Sequence, residues 1–83
     1  MGLNGRNRDD LRILGNKLKL LRKSKGLTLK ELGYRINKDP QSISRVEMGG
    51  INPTYLYLVE LSKGLEIELP EIFKDLDWRI RRP

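Results

Sequence analysis

The sequence predicts an all-α domain of five helices. Its apolar residues recur at steps of three and four, which marks one face of a helix, and no segment shows the two-residue alternation of a strand. Residues that begin and end helices, such as Thr, Asp, Pro and Gly, separate these apolar segments at short intervals. The 83 residues are expected to form a single domain, with a core that is marginal but sufficient for a small helical bundle.

The beginning of the chain predicts a flexible arm followed by a long helix. Residues 1–8 contain two Gly and two Asn, a composition typical of an arm. Asp9 or Asp10 is expected to begin the first helix, because a carboxylate stabilises the positive end of the helix dipole. Its buried face is predicted at Leu11, Leu14, Leu18 and Leu21. The helical domain is then expected to cover residues 9–76, with a C-terminal tail at residues 77–83.

Two short helices are predicted in the centre of the chain. Thr28 and Glu31 have the spacing of a capping box, so the second helix begins near Leu29. Asn37 follows it, and Asn readily adopts the left-handed conformation that ends a helix. Asp39 can cap the next helix, which Pro40 opens at a position where its missing N–H costs nothing. This third helix is predicted at residues 40–48.

Two further helices are predicted after Gly50. Asn52-Pro53 is expected to open the fourth helix. Its buried face is predicted at Tyr55, Leu58, Leu61, Ser62 and Leu65. A short fifth helix is expected to include Ile72 and Phe73 and to reach towards Leu76.

The spacing in the central segment favours a helix-turn-helix that presents polar side chains to DNA. Gly33 suits a close crossing of the two helices, and Asn37 suits the reversal of the chain between them. The residues left outward near the start of the third helix are Gln41, Ser42 and Arg45. Gln reads adenine through two hydrogen bonds, Arg reads guanine O6 and N7, and Ser bonds a phosphate or a base edge.

The composition favours a polyanionic partner and argues against catalysis. Lys and Arg number 17 against 11 Asp and Glu, and residues 1–26 hold eight of these basic residues with two acidic ones. Such a segment adds attraction to phosphates, or it is an ordinary solvated helix face. The chain has no Cys and no His, which excludes thiolate and histidine metal sites and histidine general bases. We therefore expect no enzyme activity, no metal, no cofactor and no small-molecule ligand.

The chain resembles the lambda-repressor/Cro-like helix-turn-helix regulators, also called Xre-like. The resemblance covers residues 14–33, residues 43–49, and the helix after Pro53 that ends in residues 63–73. It implies a five-helix lambda-repressor-like DNA-binding domain, with the helix-turn-helix formed by helices 2 and 3. It also implies a double-stranded DNA operator as ligand, transcription control, most often repression, and a homodimer.

The resemblance also implies roles for single residues. Base and groove contacts fall on Gln41, Ser42 and Arg45. Phosphate contacts fall on Thr28, on Lys38, whose head is expected to point outward, and on the backbone amides near Leu29 and Gly49. Arg22 and Glu47 are expected to form a partly buried ion pair between the first and third helices.

A different role remains open at this point. The same scaffold serves as a protein-interaction module, for example an antitoxin that binds its toxin. Trp78 and Leu76 are candidates for a dimer interface, because aromatic residues are enriched there. No apolar run approaches the length of a membrane span, so a cytoplasmic protein is expected.

Overall fold

The part of the chain that the structure describes folds into five α-helices, as the sequence predicts. The structure, a computed structural model, describes residues 5–76, with side chains from residue 8 onward. The helices are α1 (Gly5–Ser24), α2 (Leu29–Ile36), α3 (Pro40–Glu47), α4 (Tyr55–Leu65) and α5 (Leu69–Phe73). The predicted C-terminal tail at residues 77–83, with Trp78, lies outside the described residues. No helix within residues 5–76 has the length and apolarity needed to cross a membrane.

Helix α1 begins earlier than the sequence predicts. It is already helical at Gly5, so residues 5–8 belong to the helix and not to an arm. Extending an existing helix costs far less than nucleating one, so neither the Gly nor the Asn in this stretch ends it. The predicted buried face is confirmed, since Leu11 and Leu18 are buried. Gly26 follows the helix with a φ of +71°.

The caps of the central helices follow the prediction. The Thr28 hydroxyl accepts the Glu31 N–H at 3.0 Å, and the Glu31 carboxylate accepts the Thr28 N–H at 2.9 Å. The Asp39 carboxylate accepts the Gln41 N–H at 2.9 Å, and Pro40 is the first residue of α3. Each bond satisfies an amide that would otherwise have no partner at a helix start.

Helices α4 and α5 differ from the prediction at their ends. Helix α4 begins at Tyr55, because the Thr54 hydroxyl accepts the Tyr57 N–H and caps the helix two residues after Asn52. Tyr55, predicted to be buried, is 67% exposed, since it lies on the outer side of this first turn. Helix α5 ends at Phe73, and Leu76 lies beyond it.

A single hydrophobic core joins the five helices. Its most deeply buried side chains come from α2, α3, α4 and α5 and are Leu32, Ile43, Val46, Leu61, Leu65 and Ile72. Helix α1 adds Leu18 and packs mainly against α3 and α5. Helix α3 is therefore held on its inner side by both α1 and α2.

The crossing of α1 and α3 depends on Gly15. A Cβ atom at this position would lie 2.4 Å from the Val46 carbonyl oxygen and 2.5 Å from that of Glu47. Both are backbone atoms, which cannot move aside without shifting α3. The missing side chain thus fixes how closely the end of α3 approaches α1.

Gly15→Ala is expected to lower the free energy of unfolding, because the methyl group forces the two helices apart at a cost of about 1–3 kcal/mol. The gain in helix propensity, about 1 kcal/mol, opposes this cost, so the expected net loss is up to about 2 kcal/mol. Asn16→Ala, at an exposed position of the same helix, is the matched control. Urea unfolding would measure both variants. A Gly15→Ala protein as stable as Asn16→Ala contradicts the close crossing.

Candidate nucleic-acid interface

The connection between α2 and α3 is a tight turn. Asn37 has φ 56° and ψ 47°, the left-handed conformation, and the Lys38 N–H donates to the Gly33 carbonyl at 2.9 Å. A Cβ atom at Gly33 would lie 2.5 Å from the Lys38 carbonyl oxygen and 3.4 Å from the Pro40 ring. Only glycine therefore fits where α2 ends against this turn. The predicted roles of Gly33 and Asn37 are confirmed.

Helix α3 presents one line of exposed side chains to solvent. Its inner side holds Ile43 and Val46, each 1% exposed. Gln41 and Arg45 are exposed and lie four residues apart, and Met48, three residues further, is 72% exposed. Residues at this spacing share one helix face. We call Gln41, Arg45 and Met48 the outward stripe.

Ser42 lies beside the outward stripe and faces α4. Its Oγ is 2.8 Å from the Tyr57 hydroxyl, and the side chain is half-buried. This bond joins α3 to α4 and fixes the orientation of the Ser42 side chain. A hydroxyl has one proton and two lone pairs, and the bond uses only one of these on each residue. Each hydroxyl therefore keeps at least one lone pair for a ligand, and the accepting hydroxyl also keeps its proton.

Lys38 does not point outward as the sequence predicts. Its Nζ lies 5.0 Å from the centre of the Tyr57 ring and 3.7 Å from a Glu60 carboxylate oxygen. The aromatic face and the carboxylate both attract the ammonium group, so the side chain folds back onto α4. Both groups are partly exposed, and such an ion pair is weak. A phosphate can therefore compete for Lys38.

The start of α2 offers hydrogen-bond donors. The Thr28 hydroxyl accepts the Glu31 N–H, which leaves its own proton available. In the described part of the chain the Leu29 amide has no hydrogen-bond partner. The pKa of the Glu31 carboxyl is held below its ordinary value, chiefly by the Thr28 N–H, with a further contribution from the Thr28 side chain. The cap therefore stays formed at neutral pH.

The Gly49 amide, for which a phosphate contact was predicted, makes a hydrogen bond within the protein. It donates to the Val46 carbonyl at 3.0 Å, while the Gly50 N–H donates to the Arg45 carbonyl at 2.8 Å. These two bonds and a φ of +77° at Gly49 are the Schellman end of a helix. The amide satisfies the end of α3 and has no free proton for a ligand.

A buried ion pair joins α1 to the end of α3. Arg22 donates from Nε to Glu47 Oε2 at 2.8 Å and from Nη2 to Glu47 Oε1 at 3.0 Å. Its Nη1 donates to the Leu27 carbonyl at 2.8 Å. Arg22 is 7% exposed and Glu47 8%. The predicted pair is present, and it lies directly behind the outward stripe.

The same arrangement is found in a known family. A helix-turn-helix family model matches residues 18–72, which contain α2, α3 and α4 completely. The chain belongs to this helix-turn-helix family. In this family the α2–α3 unit is the helix-turn-helix itself, and the outward stripe lies on its second helix.

Similar helix-turn-helix proteins include regulators from bacteria. The control protein C.MunI of a Mycoplasma species is 38% identical over 71 residues, which are 83% of this chain and 96% of that protein. The uncharacterised HTH-type transcriptional regulator y4dJ of Sinorhizobium fredii is 33% identical over 69 residues, 83% of this chain and 90% of that protein. The crystal structure of the restriction-modification controller protein C.AhdI from Aeromonas hydrophila has a TM-score of 0.77 and 32% identity, and covers 78% of this chain and 98% of that one.

Two residues of the candidate interface were not predicted from the sequence. Met48 continues the spacing of Gln41 and Arg45, so the helical period alone could have placed it on the outward stripe. The contact of Tyr57 with Ser42 joins residues 15 positions apart on different helices. That contact depends on how α4 packs, and no local pattern indicates it.

Proposed function

We propose that the protein is a sequence-specific regulator of transcription that binds double-stranded DNA. It reads the major groove with α3 as a homodimer and represses the promoter it occupies. The observation that carries this proposal is the outward stripe, in which an amide and a guanidinium stand exposed on a helix held by a buried core. The helix-turn-helix family and the named regulators support DNA-binding control of transcription.

The size and chemistry of α3 suit the major groove. Eight residues of helix rise about 12 Å, and the groove is about 12 Å wide. Gln41 is matched to the N6 and N7 atoms of adenine, and Arg45 to the O6 and N7 atoms of guanine. Ser42, held by Tyr57, contacts the groove wall beside them.

The start of α2 supplies contacts to the DNA backbone. The Thr28 hydroxyl and the Leu29 amide lie at the positive end of the α2 dipole, where an oxyanion is stabilised. Lys38 joins them when a phosphate replaces Glu60 as its partner. These contacts position α3 in the groove without reading sequence.

A homodimer is proposed because a single α3 covers only one half-site. Tyr55 and Leu56, neighbours in the first turn of α4, are 67% and 68% exposed. A second copy that covers them would remove apolar surface from water and give the protein two-fold symmetry. Two α3 helices then reach half-sites about 34 Å apart on one side of the duplex.

The similar proteins indicate a setting for this regulator. Two of them are described as a control protein and as a restriction-modification controller protein. We propose that the protein controls genes of a restriction-modification system and acts in the cytoplasm. A non-enzymatic role follows from the same relatives. None of these descriptions favours an antitoxin on the same scaffold.

Selection of binding sites from random duplexes tests the proposed function. The expected result is a palindromic consensus, two protein chains per duplex by mass measurement, and affinity that falls steeply with salt. Recovery of random sequences would contradict sequence-specific binding. A non-palindromic consensus with one chain per duplex would contradict the dimer while leaving DNA recognition in place.

A further inference from the structure

The first turns of α1 and the end of α3 form a depression on the surface of the protein. Arg8, Arg12, Met48, Gly49 and Gly50 line this depression, which has a volume of about 420 Å³. Its location is distinct from the start of α2, where the backbone contacts proposed above lie. We call it the α1–α3 depression.

Gly49 allows α1 to lie close to the end of α3. A Cβ atom on residue 49 would lie 2.8 Å from Cγ and 2.9 Å from Cα and N of Arg12. The positive φ of Gly49 also disfavours any other residue. The missing side chain therefore lets Arg12 lie against the end of α3, one helical turn from Arg8.

The two arginines are the hydrogen-bond donors of the depression. Arg8 and Arg12 are exposed and lie four residues apart on one face of α1. Neither has a salt bridge in the described part of the chain, where the three ion pairs involve Arg22, Arg35 and Lys38. The Gly49 and Gly50 amides are bonded within the end of α3. An anion in the depression would therefore be bound by the guanidinium groups.

Acidic residues near the depression do not cancel this charge. Asp9 and Asp10 are exposed and follow Arg8 in α1. Asp10 leaves α1 on the side away from Arg8 and Arg12, because each residue of an α-helix turns the side chain by about 100°. Asp9 lies three residues before Arg12, so these two share a side of α1, but no ion pair joins them in the described part of the chain. Neither carboxylate lines the depression, so both reduce the charge felt at a distance while direct contacts are made by the two guanidinium groups.

We propose that the α1–α3 depression binds the phosphates of one DNA strand through Arg8 and Arg12. The proposal rests on the proposed function, because Met48 is both the end of the outward stripe and a wall of the depression. A duplex that lies along the stripe brings a strand of its backbone over Met48. Helix α3 spans about the width of the groove, so its end lies close to the phosphates at the groove edge. Guanidinium groups bind phosphate oxygens in pairs.

The salt dependence of binding tests this site. The double variant Arg8→Gln/Arg12→Gln is compared with Lys19→Gln/Lys23→Gln, which removes the same charge from exposed positions four residues apart on α1. The probe is the duplex selected by the wild-type protein, titrated at salt concentrations between about 50 and 200 mM. The slope of log K against log salt is expected to fall by about 0.9 for each phosphate that the variant no longer neutralises, hence by about 0.9–1.8 in the Arg variant. The Lys variant is expected to keep nearly the full slope.

Ethylation of single phosphates gives a second readout. Some phosphates are expected to weaken the binding of the wild-type protein when they are ethylated, but not the binding of the Arg8→Gln/Arg12→Gln variant. These are the phosphates bound in the depression. The variant is expected to select the same consensus sequence as the wild type. Equal slopes for the two double variants, with unchanged interference, overturn the site while the proposed function stands. A wild-type protein that binds no duplex overturns both, so the two failures are distinguishable.

Discussion

Replacing Glu47 by alanine is expected to lower the free energy of unfolding by about 3–5 kcal/mol. The variant leaves the Arg22 guanidinium, in a residue that is only 7% exposed, without two of its three hydrogen bonds. Only the bond to the Leu27 carbonyl remains, which does not compensate a buried positive charge. This is the largest stability effect that we predict. Because small proteins are only marginally stable, it is a large fraction of the total free energy of unfolding.

Urea unfolding measures this effect, and two further variants give it a reference. Glu60→Ala removes a partly exposed partner of Lys38 and is expected to cost less than about 1 kcal/mol. Arg22→Met/Glu47→Leu replaces both charges by apolar side chains and is expected to recover most of the loss. If Glu47→Ala unfolds at the same urea concentration as Glu60→Ala, the Arg22–Glu47 ion pair does not stabilise the fold more than an exposed pair does.

The fold was predictable to the extent that local chemistry determines it. The ends of α2 and α3 follow from side chains that bond amides two or three residues away, as Thr28 and Asp39 do. The left-handed turn at Asn37 is also a local preference of that residue type. Five helices could therefore be located before their arrangement was known.

The errors occur where local chemistry offers more than one solution. Asn52-Pro53 has a typical helix-starting pattern, yet Thr54 provides the cap and α4 begins later. Asp9 can begin a helix, and it is equally tolerated inside one that starts at Gly5. Choosing between such alternatives requires the packing of the helix, which a local pattern does not contain.

The candidate contact residues were likewise predictable only where local chemistry determines their position. The spacing in α3 placed Gln41 and Arg45 outward, because the buried Ile43 and Val46 set the orientation of the helix. Lys38 was misplaced, since its attraction to the Tyr57 ring and to Glu60 exists only after α4 has packed.

The position of the outward stripe is set by elements behind it. Gly15 fixes the distance between α1 and α3, and the Arg22–Glu47 pair holds the end of α3 to α1. The Ser42–Tyr57 bond holds its start to α4. Helix α3 is thus restrained at both ends, which keeps the stripe in one position and lowers the entropy cost of binding.

Gln41→Ala/Arg45→Ala is expected to abolish most of the preference for the selected operator over random DNA. Each bidentate contact to a base contributes about 1–3 kcal/mol of discrimination, and the two side chains lie four residues apart, so they contact different base pairs. Together they are expected to account for about 2–6 kcal/mol. The affinity for random DNA is expected to change far less, because the variant keeps the phosphate contacts proposed for Thr28, Leu29 and Lys38.

Competition titrations of operator and random duplexes at one salt concentration measure the ratio of the two affinities. Each single variant is also tested on operators altered at one base pair. Arg45→Lys is the matched control, because it keeps the positive charge and removes the planar fork that binds guanine at two atoms. It is expected to reduce discrimination almost as far as Arg45→Ala at the same base pair. Full discrimination in Arg45→Lys, or an equal loss of affinity for both duplexes in Arg45→Ala, would make Arg45 a phosphate contact and leave Gln41 as the reader of sequence.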